Sequence, residues 1–159
     1  MVSLHGKNPI VETHRGVTVA HLGKLSELGD YEVESEASAL RMRGKVWLKS
    51  FLKLGGMEVS FGLLPEGAGP SFLHSHKQNE ELYLFLSGEG QMLIDGKIIE
   101  VSEGSAVRVS PEVVRCWRNT GTANMVYIVI QAKEGSLEQW TGTDGIVSPD
   151  KPDWSDRSK

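Results

Sequence analysis

The stretch that decides the fold is residues 74–88, which read HSHKQNEELYLFLSG. Two histidines separated by one residue, His74 and His76, are followed by the acidic pair Glu80 and Glu81 and by an apolar run. Alternate side chains of a strand share a face, so a strand over residues 71–76 turns both imidazoles to one side. Two imidazoles followed by a carboxylate are ligands that divalent transition metals accept in proteins.

Short β-rich runs, each ended by turn residues, extend outward from this stretch over residues 45–132. The Asp95-Gly96 pair is a strong hairpin signal. Many short strands with glycine-rich turns predict a sandwich or barrel, and no amphipathic helix lies between them to favour a parallel α/β fold. The predicted strands are 46–54, 57–64, 71–76, 81–86, 91–94, 97–101, 105–109, 114–119 and 125–132.

The remaining segments are predicted to flank this β-rich domain. A chain of 159 residues fits one domain with additional segments at its ends. Residues 1–44 have no sustained periodicity and are predicted to form an N-terminal arm. Residues 133–159 contain Asp-Gly and proline punctuation and are predicted to form an irregular C-terminal tail.

Composition narrows the possible partners. The net charge is −4, and the lysines and arginines are scattered singly, which argues against nucleic-acid binding. The single cysteine, Cys116, allows no internal disulfide and fits a reducing compartment. No apolar run is long enough to cross a membrane, and the first residues do not resemble a signal peptide. We therefore expect a cytoplasmic location, with no nucleic-acid or membrane partner.

Residues 74–88 closely resemble the first conserved motif of the cupin superfamily. That motif is a glycine, His-x-His, three or four residues, a glutamate, six residues and a glycine; Glu81 and Gly88 stand at the required spacings. One departure is that Gly67 lies one residue further from His74 than usual. The resemblance implies an all-β, jelly-roll-like antiparallel barrel over residues 45–132. It also selects Glu81 rather than Glu80 as the inward carboxylate.

The second cupin motif is present but eroded. Gly104 and Asn119 match it at the right spacing, whereas Ser110 and Glu112 replace a proline and a glycine. Arg115 stands where the family has its fourth metal ligand, a histidine. A guanidinium stays protonated and cannot serve as that ligand.

Two hypotheses about the site therefore remain open. In the first, His74, His76 and Glu81 bind a divalent transition metal (Fe, Mn, Ni or Zn), and Arg115 holds a substrate carboxylate or phosphate beside it. In the second, Arg115 pairs with Glu81 in place of the cation, and the pocket binds a small molecule without metal. The first hypothesis implies a metal-dependent enzyme that acts on a small organic acid or phosphorylated compound. The second implies a binding or sensing protein without catalysis.

Strand parity adds aromatic residues to the predicted pocket and predicts an oligomer. Phe72, Tyr83, Phe85 and Trp117 share the faces of the polar residues and are candidates for a substrate-binding wall. Two of the predicted strands, 81–86 and 125–132, are apolar on both faces, so the outer face must be covered by the arm, the tail or a second subunit. Because cupins of this size resemble dimers that exchange N-terminal strands, we expect a homodimer.

Overall fold

The computed structural model describes residues 2–35 and 40–155, and these residues are mostly in β-strands. Residues 1, 36–39 and 156–159, which belong to the predicted arm and tail, lie outside the described residues. In chain order the strands are β1 Val2–Gly6, β2 Ile10–His14, β3 Val17–His21, β4 Tyr31–Ser35, β5 Leu40–Arg43, β6 Lys45–Trp47, β7 Glu58–Leu64, β8 Asn79–Ser87, β9 Glu89–Ile94, β10 Lys97–Ser102, β11 Ala106–Val109, β12 Arg115–Asn119 and β13 Met125–Lys133. The all-β prediction is confirmed.

Two antiparallel sheets enclose the main core. A five-stranded sheet has the order β11-β8-β13-β7-β6, and a three-stranded sheet has the order β10-β9-β12. Their inward side chains form one buried cluster that contains Tyr83, Phe85, Met92, Trp117 and Tyr127. Among the described residues the two sheets are not hydrogen-bonded to each other, so the strands do not form a closed barrel.

The segment predicted to be an arm forms small sheets of its own and adds to a second core. Strands β1, β4 and β5 form one sheet, and β2 pairs with β3 in a hairpin. A 3-10 helix, Leu25–Asp30, lies between β3 and β4. Leu28 and Tyr31 are fully buried and pack with Val46 and Leu63, because they are apolar residues facing the outer side of the five-stranded sheet. The hydroxyl of Tyr31 donates to the carbonyl of Leu22 at 2.9 Å.

The strand expected over residues 46–54 is shorter than predicted. Strand β6 ends at Trp47, and a single helical turn, α1 (Lys49–Leu52), follows. The carboxylate of Glu58 accepts a hydrogen bond from the Lys49 backbone N–H at 3.0 Å, which satisfies a donor at the start of the turn. The contact comes from the first residue of the next strand, β7, and depends on the chain turning back at residues 53–57, which strand alternation alone does not predict.

The hairpin predicted at Asp95-Gly96 joins β9 to β10. Both residues have positive φ, 45° and 81°, as the tight turn between antiparallel strands requires. The described part of the tail is irregular except for one turn, α2 (Thr141–Asp144), and all of its residues are exposed. Within residues 2–35 and 40–155, no helix has the length and apolar character needed to cross a bilayer.

Candidate functional site

A pocket of about 460 Å³ opens beside the five-stranded sheet and contains the predicted ligands. His74, His76 and Glu81 lie together in its wall, and one potential ligand atom from each lies within 4.8 Å of the others. Phe72 and Trp117 also line this pocket. Trp117, on β12, thus joins residues that lie at least 36 positions earlier in the sequence.

The segment that carries the two histidines is not a strand, contrary to the sequence prediction. Its described structure contains only an isolated β-bridge between His74 and Arg115. The His74 N–H donates to the Arg115 carbonyl at 3.2 Å, the Arg115 N–H donates to the His74 carbonyl at 2.9 Å, and the His76 N–H donates to the Pro111 carbonyl at 2.8 Å. The chain remains extended enough to keep the imidazoles together, with ring centroids 5.4 Å apart and nearly perpendicular planes.

Glu81 lies on β8 and is almost completely buried, with 4 % of its surface exposed. Its Oε1 lies 3.0 Å from Nε2 of His76, and its Oε2 accepts a hydrogen bond from the Tyr83 hydroxyl at 2.6 Å. Nε2 of His74 lies 3.8 Å from Oε2. The choice of Glu81 over Glu80 agrees with this arrangement, because Glu80 instead pairs with Arg108 outside the pocket.

Arg115 has no exposed surface, and its guanidinium is held by the protein itself. Nε and Nη2 donate to Oε2 of Glu81 at 3.0 and 2.6 Å. Nη1 donates to the carbonyl of Val113 at 3.0 Å and to that of Pro111 at 3.4 Å. The expectation that Arg115 grips a substrate anion is therefore not met, because all three nitrogens are already engaged and none faces the pocket.

The protonation of Glu81 follows from these contacts. Burial opposes its ionisation, but the contacts with His74, Tyr83 and Arg115 outweigh burial and hold the pKa of the carboxyl well below its usual range. The same burial, together with the charge of Glu81, raises the pKa of the Tyr83 phenol. Glu81 is thus a carboxylate and Tyr83 a neutral donor throughout the physiological range.

The donor set fits a divalent transition metal. Ligand atoms about 2.0–2.2 Å from one ion lie about 3.0–3.6 Å from their neighbours. Oε1 of Glu81 and Nε2 of His76 are 3.0 Å apart, and one potential ligand atom from each of the three residues lies within 4.8 Å of the others. Nδ1 of His74 is buried and makes no hydrogen bond with the described residues. A coordinating imidazole usually donates from its second nitrogen, so the His74 ring lacks one supporting contact that such sites commonly have.

The aromatic residues predicted to bind substrate divide into two groups. Phe72 and Trp117 flank His74, with ring centroids 5.7 and 6.0 Å from the imidazole. Tyr83 and Phe85 lie in the core cluster beneath the pocket wall and do not line it. Tyr83 supports the site from below through its hydrogen bond to Glu81 and its edge contact with Trp117.

The sequence prediction missed a basic edge of the pocket. Arg41, Arg43 and Lys45 line it, on β5 and β6. These three residues alternate along the chain, which could have indicated a shared face. The sequence pattern places these residues at the boundary between the arm and the β-rich domain, and it does not reveal that β5 pairs with β4 and β6 with β7.

Comparison with known proteins identifies the fold. The family model for the cupin domain matches residues 60–131. A crystal structure of a cupin protein from Bacteroides fragilis is 46 % identical, covers 65 % of this chain and 88 % of its own, and superposes with a TM-score of 0.64. A Cupin 2 conserved barrel domain protein from Salinispora arenicola is 14 % identical over 57 % of this chain and 75 % of its own, with a TM-score of 0.50, and shares the fold.

A curated relative extends the similarity to another organism. An uncharacterised protein of Methanocaldococcus jannaschii is 32 % identical over 59 residues, which are 37 % of this chain. The match spans 46 % of that relative, so it does not carry a whole-protein activity. The sequence motif, the two-sheet core and the similarity to the Bacteroides fragilis structure agree, and the chain belongs to the cupin superfamily.

Proposed function

We propose that this cupin binds a divalent transition metal (Fe, Mn, Ni or Zn) through His74, His76 and Glu81 and is an enzyme that acts on a small organic acid or phosphorylated compound. The observation that carries the proposal is the convergence of the three side chains in the wall of one pocket. Two imidazoles and one carboxylate leave coordination positions for a ligand. A metal held there would polarise an oxygen of the bound acid as a Lewis acid.

Arg115 and Tyr83 have a supporting role in this proposal. Both donate to Oε2 of Glu81, which leaves Oε1 directed toward His76. Hydrogen bonds of this kind orient a ligating carboxylate and fix which oxygen meets the ion. Arg115 therefore replaces the family's fourth ligand with a group that positions the third.

The charges around the pocket favour an anionic ligand. Three cationic residues, Arg41, Arg43 and Lys45, line it, whereas Glu81 is the single acidic lining residue among those described. The charge of Glu81 is already balanced by Arg115 at 2.6 Å. Arg41 is itself paired with Glu34 at 3.4 Å, so Arg43 and Lys45 carry the remaining positive charge, which attracts carboxylates and phosphates.

A metal-free binding protein is the second candidate, and one observation favours it. Both oxygens of Glu81 have partners within the protein, so the buried carboxylate is stable without an ion. In that case the histidines would contact the bound molecule directly.

Elemental analysis of the untagged protein separates the two candidates. The protein is reconstituted with iron, manganese, nickel and zinc and compared with H74A and with H14A, a control at an exposed histidine of β2. The metal proposal expects near-stoichiometric metal in the parent and in H14A, and its loss in H74A. Absence of metal from the reconstituted parent overturns the metal proposal in favour of the metal-free candidate.

We also propose that the chain is a cytoplasmic homodimer. The hairpin of β2 and β3 exposes apolar side chains, among them Ile10 at 68 % and Val17 at 60 %. Exposed apolar side chains on one hairpin are typical of a surface that another chain covers. Since the hairpin belongs to the N-terminal segment, a second copy is the proposed partner.

A further inference from the structure

Lys45 is a buried cation with no hydrogen bond or ion pair to the described residues. Only 8 % of its surface is exposed, at the edge of the pocket. Its Nζ lies 5.0 Å from the ring centroid of Tyr127 and 5.7 Å from that of Trp47. Lysines are rarely buried without a charged partner, and among the described residues the contacts of this ammonium are limited to the faces of these two rings.

The Tyr127 ring reaches Lys45 because it packs directly against the backbone of Gly62. Gly62 faces Lys45 across one strand pairing and Tyr127 across the other. A Cβ at Gly62 would lie 2.2 Å from Cζ of Tyr127, so only glycine lets the ring cover this position. The tyrosine ring is thereby placed where it shields the amine from solvent on one side.

We propose that Lys45 is a nucleophilic amine that forms an imine with the carbonyl group of a small oxo acid bound in the pocket. The amine nitrogen attacks the carbonyl carbon, a C=N bond replaces the C=O bond, and the carbonyl oxygen leaves as water. The acid group of the same molecule is matched by Arg43, which lines the same pocket, whereas Arg41 at the same edge pairs with Glu34 at 3.4 Å. The inference narrows the proposed ligand from a small acid to a small oxo acid. It rests on the proposed function only in taking the ligand to be an anion.

The electrostatic surroundings supply free amine. Burial lowers the pKa of the Lys45 ammonium to about 8, while the negative charges of Glu81 and Glu58 act in the opposite direction. A lysine that loses its proton near neutral pH is available as a nucleophile, whereas an ordinary surface lysine remains almost wholly protonated. The two flanking rings keep the amine dry without neutralising it through a carboxylate.

Reductive trapping tests the inference. The full-length protein is incubated with glyoxylate and cyanoborohydride at pH 7, and the modified lysines are quantified by peptide mass spectrometry. The reference site is Lys97, an exposed residue of the β9–β10 hairpin. We expect Lys45 to be modified about tenfold faster than Lys97 or more, since a lower pKa leaves a larger fraction of free amine. Equal or slower modification of Lys45 overturns the inference.

Further variants and reagents test separately the amine, the anionic group of the ligand and the dependence on metal. K45R keeps the charge but cannot form a stable imine, so it should lose the fast reaction, whereas K97R should keep it. Acetaldehyde in place of glyoxylate tests the anionic group, and an equal rate at Lys45 overturns the oxo-acid assignment. The reaction is repeated with EDTA-treated and metal-loaded protein. Fast trapping at Lys45 without metal supports the inference even if the metal proposal fails, and metal binding without trapping overturns the inference alone.

Discussion

The guanidinium of Arg115 donates two hydrogen bonds, from Nε at 3.0 Å and from Nη2 at 2.6 Å, to a single oxygen of Glu81. Arg115 has no exposed surface and Glu81 has 4 %, so the pair is enclosed by protein. A buried ion pair adds little net stability compared with apolar residues, but loss of one partner leaves the other charge buried and uncompensated.

We therefore expect Arg115→Met to lower the free energy of unfolding by about 3–5 kcal/mol. The double variant E81Q/R115M should recover a large part of this loss, because no charge remains buried. Urea unfolding of the two single variants and the double variant measures the coupling as a thermodynamic cycle. Additive effects in the cycle would contradict the pairing.

Stability should fall in acid because of Glu81. Its carboxyl has a lowered pKa in the folded state, so the folded protein binds fewer protons than the unfolded chain as the pH falls below about 4.3. The stabilisation is present above that value and is lost as the pH falls toward the folded-state pKa, at a cost on the order of 2 kcal/mol or more.

Urea unfolding between pH 7 and pH 3 checks this dependence. E81Q should show a shallower loss of stability in acid than the parent protein. E103Q, at an exposed turn residue, is the matched control and should keep the parental slope. An identical slope for E81Q and the parent would show that other carboxyls cause the acid dependence.

Lys45→Met is expected to stabilise the fold. Burial lowers the pKa of the ammonium to about 8 from an ordinary value of 10.5, which corresponds to roughly 1–3 kcal/mol of destabilisation while the group is charged. The gain should appear at pH 7 in thermal and urea unfolding. It should shrink between pH 8 and about 10.4, because over that range the unfolded chain binds more protons than the folded protein and the parent gains stability with pH.

Lys97→Met, at the exposed hairpin residue, is the control for the removal of one positive charge and should change stability by less than about 0.5 kcal/mol. A lysine that weakens the fold fits a residue retained for chemistry rather than for packing. Destabilisation by Lys45→Met would instead assign the side chain a packing role.

The proposed homodimer is tested by size-exclusion chromatography with light scattering at micromolar concentration. The parent should elute with twice the mass of the chain. Ile10→Asp places a charge on the exposed apolar face of the hairpin and should shift the protein to a monomer, because a buried unpaired charge is costly at an interface. A parent protein that is cleanly monomeric would rule out the dimer.

Alternation along individual strands predicted the site more reliably than it predicted the boundaries of the strands. On β12 the residues Arg115, Trp117 and Asn119 are all buried, as their common parity implied. The segment that carries His74 and His76 forms only one β-bridge, since its main-chain partners, Arg115 at the start of β12 and Pro111 in the preceding loop, are distant in sequence. A local pattern records which side chains share a face, but it does not record which backbone groups are available opposite them.

Lys45 and Arg115 show where sequence reasoning is limited. The motif predicts that Arg115 lies near Glu81 but does not say whether the guanidinium binds a substrate anion or Glu81. The structure shows that it donates to Glu81 and to the carbonyls of Val113 and Pro111. The sequence pattern places Lys45 at the start of the β-rich region and does not predict its burial. Its burial depends on the ring of Tyr127, which lies more than 80 residues later in the chain. This ring packs directly against the backbone of Gly62 and so reaches Lys45.

The bridge between His74 and Arg115 consists of main-chain hydrogen bonds alone. A change of side chain at position 115 would therefore keep this main-chain bridge, although it would remove the guanidinium contacts with Glu81, Pro111 and Val113. The backbone at position 115 is held by the bridge, whereas the chemistry of the site depends on the side chain there. Arginine binds the carboxylate of Glu81, and a histidine at this position would offer a fourth nitrogen to the same centre. One codon-level exchange could convert this chain between a three-donor and a four-donor site, which gives the cupin scaffold a short evolutionary route between different chemistries.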